Sequence, residues 1–475
     1  MKKNKDSNGI QFIKNTAIFF IGNVLSKLIA FLLLPMYTTI IPTEQMGVYD
    51  VSITLTTMIL SICYFEIWSA VLRYLYDGKN EQEKNKVLKS GFEIFFFSSI
   101  LFVIIGIVVC ELLHYQYILL IIVYGIAYGA SSLLTFIARG LGCNKEFSIS
   151  GVLNTLIQLS LNVLLLTVLK MDYSALYISY IVGTVCQTIY LVLCTDLPQK
   201  LRVHTDRNLT IELLKYALPL CLNTVAYWVL NSSNRLVYNK LYGNSASGVY
   251  SIGNRFGSII ALATTCFTYA WQDLAFTSAS ENEKEASKLY TKACNKYQQF
   301  LTTATVLILP MIKIIFPYLI KGEYTTADKI IPTFIIVAVI SGYSAFIGNV
   351  FYAIKDTKII SISTIVAAIT NLLLCYPLIK YLGAFGTNFS IIIAFIVNIG
   401  IRAVILKQKI NFSIRIKEIL VSVVWIILSS VAYLYGGIFI NLCSFAISII
   451  FSIIIFNKDI LNIMYSLKIL KKKMD

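Results

Sequence analysis

Apolar stretches of about 20 residues follow one another along this chain with short polar gaps between them, the length an α-helix needs to cross about 30 Å of hydrocarbon. A soluble core would instead alternate apolar and polar faces within each element. The pattern predicts fourteen helical spans, near 11–36, 46–74, 90–112, 116–140, 148–169, 174–195, 211–240, 247–275, 297–318, 328–353, 359–380, 383–406, 417–436 and 438–457. The basic start MKKNKDSNGIQFIK leads straight into the first of them. It lacks the short apolar region and small-residue cleavage site of a signal peptide, so the first helix is expected to stay.

Composition sharpens this into a class. Of 475 residues, 57% are apolar and 13% charged, with a mean hydropathy of +0.75, far from the balance of a soluble domain. The expected fold is an all-α integral membrane protein of about 14 transmembrane helices. Basic residues orient it, because positively charged loops are retained on the cytoplasmic side. With the N-terminus inside, the inner segments hold 27 lysines and arginines, whereas the outer loops hold 5, namely Lys170, Lys240, Lys321, Lys329 and Lys380. One miscounted helix would invert every later loop and erase that asymmetry, so an even count and two cytoplasmic termini are expected. The net charge of +16 is thereby dispersed over loops facing an anionic leaflet, which points to membrane lipids and away from nucleic acid. Lys284, Lys288, Lys292 and Lys296 form one such face, solvated or against lipid headgroups. The ten cysteines stand singly, without a CxxC pair, and read as core filler rather than as metal ligands or disulfides.

A repeat lies in the apolar pattern. MGVYDVSITLTTMI at 46–59 precedes SGVYSIGNRFGSII at 247–260 by 201 residues, and at the same offset Lys14 meets Lys215, Val24 meets Val225, Tyr37 meets Tyr238 and Ile59 meets Ile260. Each copy ends in a charged inner loop, DGKNEQEKNK in one and ASENEKEASK in the other. Six helices separate the copies, so both halves point the same way and are expected to form two six-helix bundles related by a pseudo-twofold axis along the membrane normal, a transporter geometry. The expected domains are an N-terminal bundle over 1–195, a cytoplasmic inter-bundle loop over 196–210, a C-terminal bundle over 211–406, and two additional helices with a basic cytoplasmic tail over 407–475.

The first helix and turn, FIGNVLSKLIAFLLLPMYTTIIPTEQMGVYD, and the echo NKLYGNSASGVYSIGNRFGS resemble the polysaccharide transporters, or Wzx-type oligosaccharide flippases, of the multidrug, oligosaccharidyl-lipid and polysaccharide exporter superfamily. The resemblance covers about the first 400 residues. It implies alternating access that turns an undecaprenyl-diphosphate-linked oligosaccharide from the inner to the outer leaflet of a bacterial plasma membrane, for capsule or O-antigen export. It further implies a proton or sodium gradient as the driving force, no other cofactor, and neighbours in a pathway with a polysaccharide polymerase and glycosyltransferases. Relatives with this pattern also move peptidoglycan precursor, and the superfamily includes ion-coupled multidrug antiporters.

Ionisable groups deep in hydrocarbon cost roughly 2.5–3.5 kcal/mol on insertion scales, so each needs a partner or a wet cavity. Those expected inside the membrane are Lys27, Asp50, Glu66, Arg73, Arg139, Arg235, Arg255 and Asp273. Asn223, Tyr227, Asn231 and Arg235 repeat at i+4, as do Asn23 and Lys27, and neither polar face can look at lipid. A guanidinium suits two-point contact with phosphate oxygens, while amides and tyrosine suit sugar hydroxyls. Arg255 with Arg235 and Lys27 is therefore expected to form a cationic cavity for a diphosphate, lined further by Asn254, Asn231, Asn223, Tyr227 and Asn23. Glu66 and Asp50 are the candidate ion-coupling carboxylates. The competing reading makes these charges bridges between helices, with Lys27 on Asp50. Cationic drugs call for buried carboxylates, yet basic groups outnumber acidic ones here, which argues against the antiporter. No phosphate-binding loop, histidine-based triad or carboxylate pair is present, and an enzyme is not expected.

Overall fold

The computed structural model describes residues 31–278, 283–354, 356–410, 412 and 415–453, and among them there is no strand. After a short α1 (Leu34–Ile40) come α2 (Thr43–Cys63), α3 (Ile67–Asp77), α4 (Glu81–Leu112), α5 (Ile118–Gly140), α6 (Asn144–Val163), α7 (Ser174–Cys194) and a single turn, α8 (Leu197–Lys200). The chain continues through α9 (Arg207–Ser278), α10 (Glu283–Leu319), a 3-10 segment (Gly322–Ile330), α11 (Ile331–Ala353), α12 (Thr357–Leu382), α13 (Ala384–Ile410), α14 (Ile416–Tyr435) and α15 (Ile438–Ile453).

Eleven of the described helical segments are long and apolar enough to cross a membrane, and Ile438–Ile453 is a shorter apolar helix. The protein is a multi-pass membrane protein. The two expected spans 211–240 and 247–275 form one run of helix, counted once, whose halves meet at Gly243. There φ is 81° and ψ is −179°, a conformation open to a residue without Cβ. Most of the first expected span lies outside the described residues. Lipid-facing positions are legible as exposed apolar side chains: Phe96, Phe97, Ile104 and Leu112 on α4, and Leu420, Val424, Ile427 and Val431 on α14.

The expected single span 46–74 is the one the structure redraws. It is broken between α2 and α3, where Phe65 (φ 51°) and Glu66 (φ 58°) stand consecutively in the left-handed region. Each such non-glycine residue costs on the order of 1–3 kcal/mol and persists only where its surroundings impose it. Neither glycine nor proline marks the break, so the apolar pattern alone reads through it. Packing imposes it instead: Tyr64 is fully buried, stacks with Trp68, packs at a tilt on Phe95, and bonds Ser99 on α4, while its ring edge lies against Gly129 half-way along α5.

By its internal contacts the chain divides into two compact units. The first comprises Met1–Ser251, Gly322–Tyr324 and Thr364–Ser390, and the second comprises Ile252–Lys321, Thr325–Ser363 and Ile391–Asp475. The first has a core of Ile67, Val71, Leu88, Leu133, Ile137 and Leu213 around the Tyr64 joint. In the second, Tyr297 stacks on Phe346 and Phe256 packs on Phe316, all four buried.

Candidate functional site

The polar side chains of the first unit are organised by α2 and the first stretch of α9, which run antiparallel and touch at three rungs. The Cys221 thiol donates to the Ser61 carbonyl at 3.2 Å, the Trp228 indole to the Thr57 hydroxyl at 3.2 Å, and Arg235 pairs with Asp50 at 3.2 Å. The rungs on α9 are seven residues apart, two turns, which keeps them on one face. Asp50 thus takes Arg235 as its partner. Both side chains are about one-fifth exposed, enough that water reaches the pair. Arg235 spends one terminal nitrogen on this bond, and no other partner of its guanidinium occurs among the described residues.

The i+4 face expected on α9 divides between neighbours. Asn231 bonds its own helix at the Tyr227 carbonyl, Tyr227 is exposed, and the Oδ1 of Asn223 is buried without a partner among the described residues. The amide that anchors the helix is Asn234, one residue before Arg235, which periodicity at i+4 skips. Its Nδ2 donates to the Thr387 carbonyl and the Ser390 hydroxyl, and its Oδ1 accepts from Asn371 at 2.8 Å. Tyr250 bonds Asn388 in the same buried region.

Where the two Gly-Val-Tyr copies begin, the helices cross almost backbone to backbone. A Cβ on Gly47 would stand 1.8 Å from the Asn244 carbonyl oxygen, and one on Gly248 1.9 Å from the Thr43 carbonyl oxygen. The two contacts exchange under the 201-residue offset, the reciprocity a twofold repeat dictates. Thr43 Oγ1 also lies 2.7 Å from Ser245 Oγ and donates to Glu323, and Tyr324 bonds the Ile41 carbonyl. Glycine is required at both positions because any side chain would meet a carbonyl.

At the α2–α3 break, Oε1 of Glu66 accepts from the Trp68 indole at 2.7 Å and the Ser69 hydroxyl at 3.0 Å. Arg73 is exposed and pairs with Asp77, and Arg139 is exposed over the rings of Phe136 and Phe147. Lys27 and Asn23 lie outside the described residues, as does the side chain of Asp273.

The second unit holds Asn254 and Arg255, both half-buried on the second stretch of α9. It also holds two basic residues that the sequence inventory missed. Arg402 on α13 is buried and donates to the Ser363 hydroxyl and to the carbonyl and hydroxyl of Ser344, joining α11, α12 and α13. Lys313 on α10 pairs with Asp328, whose other oxygen accepts from the buried Tyr433 at 2.6 Å. The signal for both was present: a lone charge inside PMIKIIFP and inside NIGIRAVIL.

The family described as polysaccharide biosynthesis protein matches residues 12–271, more than half of the chain. No curated protein matches the sequence. Among solved structures the chain is similar to a lipid II flippase MurJ in an inward closed conformation, at 16% identity with a TM-score of 0.72, covering 94% of this chain and 100% of that one. It is also similar to a multidrug resistance MATE family transporter of the MOP superfamily in an inward-facing conformation, at 13% identity and TM-score 0.69, covering 81% and 94%. The outward-facing conformation of such a transporter gives 14% identity and TM-score 0.59, covering 84% and 95%. At these identities the likeness shows the fold.

Proposed function

Because the chain belongs to the polysaccharide biosynthesis protein family, we propose that it is a flippase that turns an undecaprenyl-diphosphate-linked oligosaccharide repeat unit from the inner to the outer leaflet by alternating access. The observation that carries this reading is the family match to residues 12–271, which takes in both Gly-Val-Tyr copies and the rungs between α2 and α9. The reciprocal glycine crossing supports it further. Helices packed without side chains between them can be held closed at one end and swung open as bodies, as rocking of repeat halves requires.

In this reading the halves are 1–195 and 211–406, joined by 196–210, with 407–475 appended. The membrane is the bacterial plasma membrane, and both termini are cytoplasmic. Arg255, Arg235 and Lys27 hold the diphosphate. Asn254, Asn231, Asn223, Asn23 and Tyr227 hydrogen-bond the sugar, and Glu66 or Asp50 couples the movement to a proton or sodium gradient. The partially used guanidinium of Arg235 is the geometric support for the anion. Polymerase and glycosyltransferases stand after and before the step, for capsule or O-antigen polymer. A second reading, a flippase for the peptidoglycan lipid precursor, is favoured by the coverage of the lipid II flippase over its whole length.

Mass spectrometry of undecaprenyl-linked lipids in cells depleted of the protein, against cells re-expressing it, tests both. A multi-sugar diphosphate lipid builds up in the first reading, and the peptide-bearing precursor in the second. No change in any lipid-linked sugar overturns both. Re-expression of Arg255→Ala then tests the cavity: export undiminished with that variant removes Arg255 from it.

A further inference from the structure

Within the second unit, α10, α14 and α15 line a cleft of about 230 Å³, well beyond the roughly 10–15 Å³ that one water needs. Lys417 and Glu418, in the first turn of α14, mark its charged end. Trp425, eight residues and about 12 Å further along that helix, marks its apolar end and packs on Phe451 of α15 with ring centroids 4.5 Å apart. Thr303 of α10 and Ser422 of α14 also line it, and Ser422 accepts a hydrogen bond from the adjoining Gln298 at 3.2 Å.

Two polar atoms of the lining are buried without a partner among the described residues. Threonine in a membrane helix ordinarily returns its hydroxyl to a carbonyl of its own helix, and Thr302 and Thr305 do so at 2.9 and 2.8 Å. Thr303 does not: it is 7% exposed, and its Oγ1 is unmatched. Glu418 gives Oε1 to Arg415 at 2.7 Å, and its Oε2 is the second such atom. A buried carboxylate oxygen calls for a donor. Lys417 beside it is exposed and pairs with no acidic residue among the described residues.

We propose that the cleft holds one phosphatidylethanolamine molecule as a resident lipid, with its phosphate on Lys417 and its ammonium on Oε2 of Glu418. The Thr303 hydroxyl donates to an ester carbonyl, and an acyl chain lies against Trp425 and Phe451. The charge doublet on consecutive residues selects the headgroup, because a zwitterion satisfies both charges whereas an anionic headgroup meets Lys417 and sets negative charge beside the carboxylate. A soluble phosphate would leave the aromatic end unused. Val421, Val424 and Leu428 are exposed along α14, so the cleft opens on hydrocarbon. The consequence is attachment. Only 11% of the most apolar window of α14 is buried by protein, against 22% or more in every other described span, and the lipid fills the space between α14 and α10. With both termini cytoplasmic, as in the reading above, Lys417 lies at the inner surface and the lipid comes from the inner leaflet.

Native mass spectrometry of the full-length protein in detergent, titrated with phosphatidylethanolamine and in parallel with phosphatidylglycerol of the same chains, tests this. The first adduct is expected to hold phosphatidylethanolamine about tenfold more tightly, the worth of one charge-assisted bond. Glu418→Gln removes that preference without weakening phosphatidylglycerol, and Trp425→Ala weakens both lipids. Phosphatidylglycerol bound as tightly by the parent, which would leave a site for lipid phosphate alone, or a preference that survives Glu418→Gln, overturns the proposal. Thr303→Val keeps the size and removes the hydroxyl, and lowers phosphatidylethanolamine affinity several-fold. It decides if Glu418→Gln does not fold, an unchanged affinity being the contrary result. The readout needs no cargo, so its failure leaves the flippase reading standing, and the failure of that reading leaves this site standing.

Discussion

The two ends of one stretch, Thr43 to Leu75, are built on opposite rules. At Gly47 the helix meets Asn244 and Gly248 with no room for a methyl group, and nothing can shift there without separating two backbones. At Phe65 and Glu66 the helix is broken, and large side chains rather than backbones make the contacts. A close-packed crossing has two states, touching or apart, while a joint held by side chains can change its angle with neighbours still in contact. A carrier that exposes a site to one side at a time needs both kinds of region.

The largest break in this comparison comes from filling the crossing. Gly47→Leu or Gly248→Leu should abolish export and destabilise the protein by about 3 kcal/mol or more, since overpacking against a carbonyl has no side chain to displace. Thermal unfolding in detergent checks this, and a fully active, equally stable Gly47→Leu would remove the crossing from the account. Next in size, Asp50→Asn leaves the Arg235 guanidinium half-buried without its counter-charge and should cost about 1–3 kcal/mol. Arg235→Ala combined with Asp50→Asn should recover part of that loss in the same assay.

Trp228→Phe sharpens the contrast from the middle rung. It removes one neutral bond to Thr57 and should cost about 0.5–1.5 kcal/mol, without the loss of export expected at the glycines. The smallest effect lies in the loop before α7. Burial pushes the Asp172 carboxyl up, but bonds from Ser174 and Tyr117 outweigh it and the net shift is downward from 3.8. A lowered carboxyl contributes stability that is complete above its unfolded value and is lost as pH falls through the folded one. The melting temperature should therefore decline below about pH 4 by less in Asp172→Asn than in the parent.

Apart from 46–74, which the structure breaks after Cys63, the apolar pattern was enough to place the described spans, since each needs only length and composition, and it placed the turn at Gly243 between the two halves of α9. The Gly-Val-Tyr echo pointed to the residues that cross. The break at Glu66 was not legible, because left-handed Phe and Glu are imposed by Tyr64 burying itself among α4 and α5, a tertiary cause with no local signal. On α9 the period showed that a polar face exists. It could not show that Asn234 turns to α12 and α13 while Arg235 turns to α2, because adjacent residues differ by about 100° and only the neighbours decide. Arg402 and Lys313 were visible as lone charges in apolar runs, but the runs do not name their partners: Ser344 and Ser363 stand on other helices, and Asp328, 15 residues on, lies across the turn that follows α10.

The most direct test of the central claim locks the crossing and reads the cargo. Thr43 Oγ1 and Ser245 Oγ lie 2.7 Å apart, so Thr43→Cys with Ser245→Cys should bridge under oxidation. Undecaprenyl-linked lipids would then be measured by mass spectrometry in cells carrying only this variant, before and after a reductant. The account predicts that a lipid-linked glycan accumulates while the bridge is closed and clears when it is reduced. A bridge that forms fully while every lipid-linked glycan stays at its normal level would contradict it.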